Sequence, residues 1–172
     1  MDIVIEPVKI SEANMLANIS RKTFYDTFRE QNTEENMDLF LNESFNLQTL
    51  QRELEDPANH FFFAKSTGEV VGYVKLSESE PPAELANEKA IEIARIYTLQ
   101  ERIGSGVGKA MVEFAIGFGN TLQKQMVWLG VWEHNKRAID FYRRFGFVKF
   151  SEHVFMVGND AQTDWLMKKD LS

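Results

Sequence analysis

Residues 104–109 form a glycine-rich stretch that reads Gly-Ser-Gly-Val-Gly-Lys. Its spacing indicates a functional site more clearly than any other part of the sequence. Because glycine has no Cβ, a phosphate group can approach such a backbone closely and be bound by its N–H groups. A nucleoside-triphosphate loop would continue with Ser or Thr, and here the next residue is Ala110. A dinucleotide-binding loop would space its glycines as Gly-x-Gly-x-x-Gly, which this stretch does not. The stretch alone leaves two alternatives, a phosphate site or an ordinary turn that begins a helix.

The segments on either side determine how such a turn would be presented. Residues 91–99 alternate and are rich in β-formers, which predicts a strand. The apolar residues that follow recur at spacings of three and four, which predicts a helix: Met111, Val112, Ala115, Ile116, Gly119 and Leu122. A turn between a strand and a helix directs several backbone N–H groups, and the positive end of the helix dipole, at one point. That arrangement is suited to a pyrophosphate.

A second distinctive segment lies downstream, where Asn135 is a suitable N-cap and Gly146 a suitable C′ residue for a helix between them. It follows the pattern Asn-x-x-Ala-x-x-Phe-Tyr-x-x-x-Gly-Phe through Asn135, Ala138, Phe141, Tyr142, Gly146 and Phe147. Together with the glycine-rich turn, this pattern resembles the GNAT superfamily of N-acetyltransferases. The resemblance implies that the strand, turn and helix hold the pyrophosphate of acetyl-CoA. The second segment would then flank the pantetheine and thioester.

The same resemblance implies an α/β fold in one domain over residues 1–172. Its sheet would be mixed and mostly antiparallel, with a splayed parallel strand pair and helices on both faces. A helical segment at about 11–56 would lie on the substrate side, and about 60–150 would form the acetyl-CoA-binding core. The implied cofactor-binding residues are Ile96, Tyr97, Thr98, Gly104, Ser105, Gly106, Val107, Gly108, Lys109, Asn135, Tyr142 and Arg144. One departure is Ile103, which stands where the superfamily usually has Gln or Arg, so the pyrophosphate would rely on backbone N–H groups.

Direct attack of an amine on the thioester requires no covalent enzyme intermediate, and the chain contains no cysteine nucleophile. A phenol can protonate the departing thiolate, and Tyr142 holds the matching position, although the same ring could simply pack among aromatic neighbours. A backbone N–H near Ile96 or Tyr97 would stabilise the developing oxyanion. Glu92 is interpreted equally well as a base acting through water or as a solvated strand residue. Ala94 replaces a second acid that related strands often carry.

On the substrate side, the sequence is similar to PaiA-type spermidine/spermine acetyltransferases over residues 23–32, 35–37, 72–75, 93–97, 128–133 and 162–164. A polyamine is a flexible chain of ammonium groups, so its site needs carboxylates along an apolar or aromatic groove. The substrate-binding residues implied by this likeness are Tyr25, Phe28, Glu30, Trp132 and Glu133. Tyr25, Glu30 and Glu133 could also be ordinary surface groups.

Composition limits the classes of protein to which the chain could belong. With 172 residues, 44% of them hydrophobic, the chain is sized for one domain with a core. Its net charge of −7 argues against a nucleic-acid partner and suits a small cationic amine. The sequence shows no signal-peptide pattern and no membrane-length apolar run, which predicts a cytoplasmic protein without membrane association. The sequence leaves open whether the protein is a monomer or a homodimer. The histidines lack metal-ligand spacing, so no metal site is expected.

Apolar patterns and cap signals predict the remaining elements. Helices are expected after Ser11, Thr33 and Asn46. Strands are expected at 4–10, 60–65, 70–76, 126–132, 147–150, 154–157 and 162–168.

Three functional interpretations remain open. The first is an acetyl-CoA-dependent polyamine N-acetyltransferase. The second is the same fold acting on another amine, such as an aminoglycoside, an amino acid or a protein N-terminus. The third is a CoA-binding regulatory module without turnover, which would be favoured by loss of Tyr142 or the loop glycines; both are present.

Overall fold

A seven-stranded mixed sheet runs through the computed structural model, which describes residues 2–171. The strands are β1 (Ile3–Pro7), β2 (Asn59–Ser66), β3 (Glu69–Ser77), β4 (Ala90–Thr98), β5 (Met126–Trp132), β6 (Val148–Val157) and β7 (Asp160–Asp170). Their order in the sheet is β1-β2-β3-β4-β5-β7-β6. Only β4 and β5 pair in parallel, and every other neighbouring pair is antiparallel. The predicted α/β sheet with one parallel pair is confirmed.

The helices are α1 (Ala13–Phe28), α2 (Glu34–Ser44), α3 (Leu47–Glu55), α4 (Val107–Thr121) and α5 (Lys136–Arg144). Three begin at caps that the sequence predicts: Thr33 Oγ1 accepts from the Asn36 N–H, Asn46 Oδ1 from that of Thr49, and Asn135 Oδ1 from that of Ala138. Each cap satisfies one N–H that the helix cannot bond internally. None of the helices within residues 2–171 combines the length and apolar character that a bilayer crossing needs.

Both faces of the sheet are covered. Along β2, Phe61 and Phe63 pack against α1–α3, whereas Phe62 and Ala64 lie in the cluster built with α4 and α5. Successive strand residues point to opposite faces, so a strand covered on both sides needs apolar residues at every position. This explains the continuous apolar runs in the middle strands.

Two strand predictions differ from the structure. The first strand ends at Pro7 rather than residue 10, because a 3₁₀ turn occupies Ile10–Glu12. The segments expected at 147–150 and 154–157 belong to one edge strand, β6, which bulges at Phe150. Its middle residues are polar because that edge faces solvent, so the apolar pattern breaks while the pairing with β7 continues.

The two parallel strands pair only at their beginnings. Their ladder runs from Ala90 opposite Met126 to Ile93 opposite Leu129 and then stops. Beyond that point β4 stays paired with β3 as far as Thr98, and β5 stays paired with β7 along its whole length. The space between residues 94–98 of β4 and 130–132 of β5 is called the fork. A β-bulge at position 94 marks its start, because the register with β3 shifts there.

Gly72 allows α4 to approach the sheet beside the fork. A Cβ built on Gly72 would lie 2.7 Å from the Tyr97 carbonyl oxygen, 3.1 Å from Met111 Cε and 3.2 Å from Val107 Cγ1. The first of these distances is shorter than real Cβ atoms tolerate. The missing side chain therefore sets how near the first turn of α4 comes to β3 and β4.

We expect Gly72→Ala to lower the free energy of unfolding by about 1–3 kcal/mol, because the added methyl overpacks against backbone. The matched variant is Gly117→Ala, in an exposed position of α4 where a Cβ meets no atom within 4 Å. It should raise the free energy of unfolding by about 0.5–1 kcal/mol through helix propensity. Urea denaturation measures both, and equal shifts in one direction would contradict the packing argument.

Candidate active site

The N-terminus of α4 presents a set of backbone donors. Its first helical hydrogen bond runs from the Ala110 N–H to the Gly106 carbonyl, at 3.0 Å. The N–H groups of Gly106, Val107, Gly108 and Lys109 precede that bond, so the helix offers them no internal partner. Together with the positive end of the helix dipole, they favour an anion at this point.

The loop before α4 depends on two glycines with positive φ. Gly104 has a φ of 86° and Gly106 a φ of 94°, a conformation in which a Cβ would be strained. A Cβ added at either residue would meet no protein atom within 4 Å. The space beside both glycines is therefore open, as close approach of a ligand to the backbone requires.

The first turn of α4 meets the end of β4 and the middle of α5. A Cβ on Gly108 would lie 3.4 Å from Phe141 Cζ and 3.9 Å from Thr98 Oγ1. The structure thus brings the predicted loop, the last residue of β4 and the predicted α5 segment to one place. Arg144, the last residue of α5, lies with its guanidinium carbon 6.0 Å from the Phe141 ring centre. Lys109 is exposed and lies 3.9 Å from Glu113.

Tyr142 lies on the buried side of α5. Its ring packs edge-on against Phe141 and Phe147, with centroids 5.4 and 5.8 Å apart. Burial raises the pKa of the Tyr142 phenol well above its usual value, so the group is protonated at neutral pH. Its hydroxyl forms no hydrogen bond with another residue in the part of the chain that the structure describes. The phenol is therefore available as a proton donor to a ligand.

Tyr97 lies on the β4 side of the fork, between Ile96 and Thr98. Ile96 packs towards α4, whereas Tyr97 faces α1–α3 and stacks on Tyr73 with centroids 5.9 Å apart. Burial and the nearby phenols raise the pKa of Tyr97 far above its usual range. The charges of Tyr142 and Asp164 also raise the pKa of Tyr97.

Aromatic and acidic side chains meet on the α1–α3 side. Phe28, at the end of α1, and Trp132, at the end of β5, lie with ring centroids 6.2 Å apart. Beyond Phe28 is an open cleft of about 540 Å³, lined by Glu30, Gln31, Asn32, Thr33, Asn36, Asn159 and Asp160. The lining carries two carboxylates and no basic side chain.

Two other predicted substrate residues lie outside that lining. The Tyr25 hydroxyl donates to Glu34 Oε1 at 2.8 Å. Glu133, in the turn between β5 and α5, lies 3.8 Å from the ring of His134. The structure therefore groups Phe28, Glu30 and Trp132 but leaves Tyr25 and Glu133 with other partners.

Glu92 lies below the fork, in the closed part of the sheet, where its register partners are Ser77 and Trp128. Burial raises its pKa, and the charges of Lys75 and Arg95 oppose that change. Its role as a base acting through water stays a prediction.

Asp164 lies in the 162–164 segment that resembles PaiA-type enzymes, but the sequence indicated no role for it. β7 places it opposite Trp132 of β5. Burial raises the pKa of Asp164 to about 6, and the charge of His153 acts in the opposite direction. In the sequence, Asp164 is only an acid within a short polar segment. Nothing in the neighbouring residues indicates that β7 lies beside β5.

The donor set fits coenzyme A. The first turn of α4 supplies N–H groups for a pyrophosphate, the open space beside Gly104 and Gly106 admits it, and the fork leaves backbone edges for an extended pantetheine chain. Tyr142 directly follows Phe141, whose ring lies next to the first turn of α4, close to Thr98 at the end of the fork.

Solved structures share this fold. The chain superposes on the PaiA N-acetyltransferase of Thermoplasma acidophilum, solved in complex with coenzyme A, with a TM-score of 0.80 and 19% identity, covering 99% of both chains. It also superposes on a mutant form of the spermidine N-acetyltransferase SpeG of Vibrio cholerae, with a TM-score of 0.68 and 17% identity, covering 99% of this chain and 94% of that one. At such identities the likeness shows the fold.

Sequence comparison shows the family. The chain is 42% identical over 169 residues to an uncharacterized N-acetyltransferase in the pepI 3′ region of Lactobacillus delbrueckii subsp. lactis, covering 97% of this chain and 98% of that protein. The model of the Acetyltransferase (GNAT) family matches residues 15–147. With the glycine loop, the fork and the buried phenol in place, the chain belongs to the GNAT family and is an N-acetyltransferase that uses acetyl-CoA.

Proposed function

We propose that this enzyme acetylates a primary amine of a linear polyamine of the spermidine and spermine class. The observation that carries the proposal is the acidic cleft beside the aromatic pair. Glu30 follows Phe28 by two residues, and the Asn32 side chain donates to the Phe28 carbonyl at 2.9 Å, so cleft and aromatic wall are continuous. A flexible chain of ammonium groups fits carboxylates next to aromatic faces, which attract cations.

The comparisons support this choice of acceptor. One of the structures with this fold is named as a spermidine N-acetyltransferase. The acidic net charge of −7 also favours a cationic acceptor over an anionic one.

The proposed roles follow from position. Acetyl-CoA supplies an acetyl group activated as a thioester. The N–H groups of the first turn of α4 and the loop glycines would hold its pyrophosphate, and Asn135 keeps α5 in place by capping it. A backbone N–H near Ile96 or Tyr97 would stabilise charge on the carbonyl oxygen. Tyr142 would give its proton to the departing sulfur.

The loop role predicts that Gly106→Ala weakens CoA binding at least tenfold, because a Cβ would enter the open space beside the backbone. The matched control is Gly68→Ala, in the hairpin turn between β2 and β3. Gly68 has a similar φ of 83° and an equally open surrounding. Isothermal titration with CoA should show the loss for Gly106→Ala alone. Equal CoA affinity in both folded variants would remove the loop from the binding site.

The acid role predicts that Tyr142→Phe lowers kcat by on the order of 10²-fold or more, with little change in KM for acetyl-CoA. The ring and its packing remain, and only the hydroxyl is lost. Tyr73→Phe removes another buried hydroxyl, from the face that packs on α1–α3, and should retain turnover. Free-thiol release measures both, and the absence of cysteine removes any background from the protein. Full turnover by Tyr142→Phe would leave the ring as packing alone.

The acceptor is tested with a panel of amines. Spermidine and spermine should give the highest kcat/KM, and added salt should lower it, because the Debye length shrinks from about 10 Å at 0.1 M to about 3 Å at 1 M. Asp160→Asn and Glu30→Gln should each raise KM for spermidine several-fold while leaving a short monoamine unaffected. Asp38→Asn, on α2 outside the cleft lining, is the control. Equal rates with neutral or acidic amines, without salt dependence, would favour another acceptor.

A further inference from the structure

Asp164 stands where β4 and β5 separate. It pairs with Trp132 of β5, and its carboxyl group lies next to Gly130. Gly130 is the first residue of β5 after the parallel pairing with β4 ends. Its Oδ2 lies 3.3 Å from the position that a Cβ on Gly130 would take, so the missing side chain at Gly130 makes room for the carboxyl group. Tyr97, across the fork, responds to the charges of both Asp164 and Tyr142. The carboxyl group and the phenol, which belong to different elements, thus both influence the pKa of Tyr97.

Two buried acceptor atoms on this face of β7 have no donor within residues 2–171. They are Oδ1 of Asp164 and Oε1 of Gln162. The Gln162 amide is oriented by its Nε2, which donates to Asn32 Oδ1 and Asp160 Oδ2, both at 2.8 Å. Residues two apart on a strand share a face and lie about 7 Å apart. Buried acceptors are costly when unpaired, so this face suits a ligand that brings several N–H donors.

We propose that Asp164 binds the reacting ammonium group and accepts the proton that the nitrogen must lose before it attacks. The proposal rests on amine acetylation at the fork and deepens the function proposed above. It does not depend on which primary amine is the acceptor. Gln162 would receive a further N–H of the same ligand.

The protons balance with Asp164 and Tyr142 in these roles. The ammonium gives one proton to the Asp164 carboxylate, and the nitrogen lone pair then forms the C–N bond as the C–S bond breaks. The sulfur takes the proton of Tyr142, and the phenol is restored by the second proton that the nitrogen loses. Asp164 passes its proton to solvent. Ammonium and thioester become amide and thiol, with one proton released.

The surroundings of Asp164 suit a base that works near neutral pH. Burial raises its pKa to about 6, which leaves the carboxylate charged at pH 7 and more basic than an exposed aspartate. The titratable groups that act on it are His153 of β6, 3.9 Å away, and Tyr97 of β4. Its neighbours on β5, Gly130 and Trp132, carry no charge. Glu92, by contrast, lies below the fork and is influenced by two cations.

The test compares Asp164→Asn with the wild type across pH 5–10, using the best primary amine of the panel, whether or not it is a polyamine. Wild-type kcat/KM should rise through about pH 6 and then level off, because the carboxylate removes the proton from the ammonium. The variant should lose at least 10²-fold at pH 7.5. It depends on the small neutral fraction of the amine, so its kcat/KM should keep rising about tenfold per pH unit towards the amine pKa near 10.

Two further variants locate the effect. Asp170→Asn, at the far end of β7, should keep the wild-type profile. In Glu92→Gln, kcat/KM should still rise through about pH 6, even if its absolute value is lower. The proposal would be overturned if the rise of kcat/KM near pH 6 were lost in Glu92→Gln but kept in Asp164→Asn. It would also be overturned if Asp164→Asn kept the wild-type kcat/KM. If only amines other than polyamines react in the panel, the polyamine function is overturned. The comparison of Asp164→Asn with the wild type then still applies, with the amine that does react.

Thermal stability gives a second readout, independent of turnover. The folded-state pKa of Asp164 is raised, so its protonated form stabilises the fold below about pH 4, and that contribution is lost as the pH rises through about 6. Asp164→Asn should therefore raise Tm more at pH 8 than at pH 4, with CoA affinity unchanged in calorimetry. A marked fall in Tm at pH 8 would show a structural role for Asp164 and overturn the proposal.

Discussion

The arrangement of the site depends on competition for hydrogen-bonding partners in the middle of the sheet. β4 is bound by β3 to its end, and β5 is bound by β7 to its end, so the two parallel strands can pair with each other only at their beginnings. Antiparallel neighbours twist relative to one another, and each of the two strands follows its own neighbour. The opening that results is lined by backbone edges rather than by a loop. Function is therefore placed on a rigid part of the fold.

Partly buried charges fix the geometry of the bend that starts this opening. Arg95, the residue after the bulge, faces α3 and makes two hydrogen bonds to Glu53, at 2.8 and 3.1 Å, while lying 5.0 Å from the Phe45 ring centre. Lys75 also contacts Glu53, at 3.2 Å. Burial alone would raise the pKa of Glu53, but the hydrogen bonds and charges of Arg95 and Lys75 hold it below its usual value. Such an ion pair fixes geometry more than it adds stability, because desolvation offsets much of its attraction.

Local patterns predicted much of this structure. The caps at Thr33, Asn46 and Asn135, the limits of β5 and the turn before α4 were accessible because each depends on neighbours a few residues away. Tyr142 was found through its place in a family pattern. Asp164, which we propose as the base, was given no role from the sequence because its partner Trp132 is far from it in the sequence and opposite it in the sheet. The continuity of β6 was missed because an exposed edge strand lacks an apolar signal.

The position of β7 has a consequence for how the chain reaches this fold. β7 follows the other six strands in the sequence, yet it lies between β5 and β6 inside the sheet. Until it emerges from the ribosome, the strongly apolar β5 has no partner on one side, and such an edge is prone to misassociation. A truncated or stalled nascent chain would therefore be an aggregation hazard rather than a partly working enzyme.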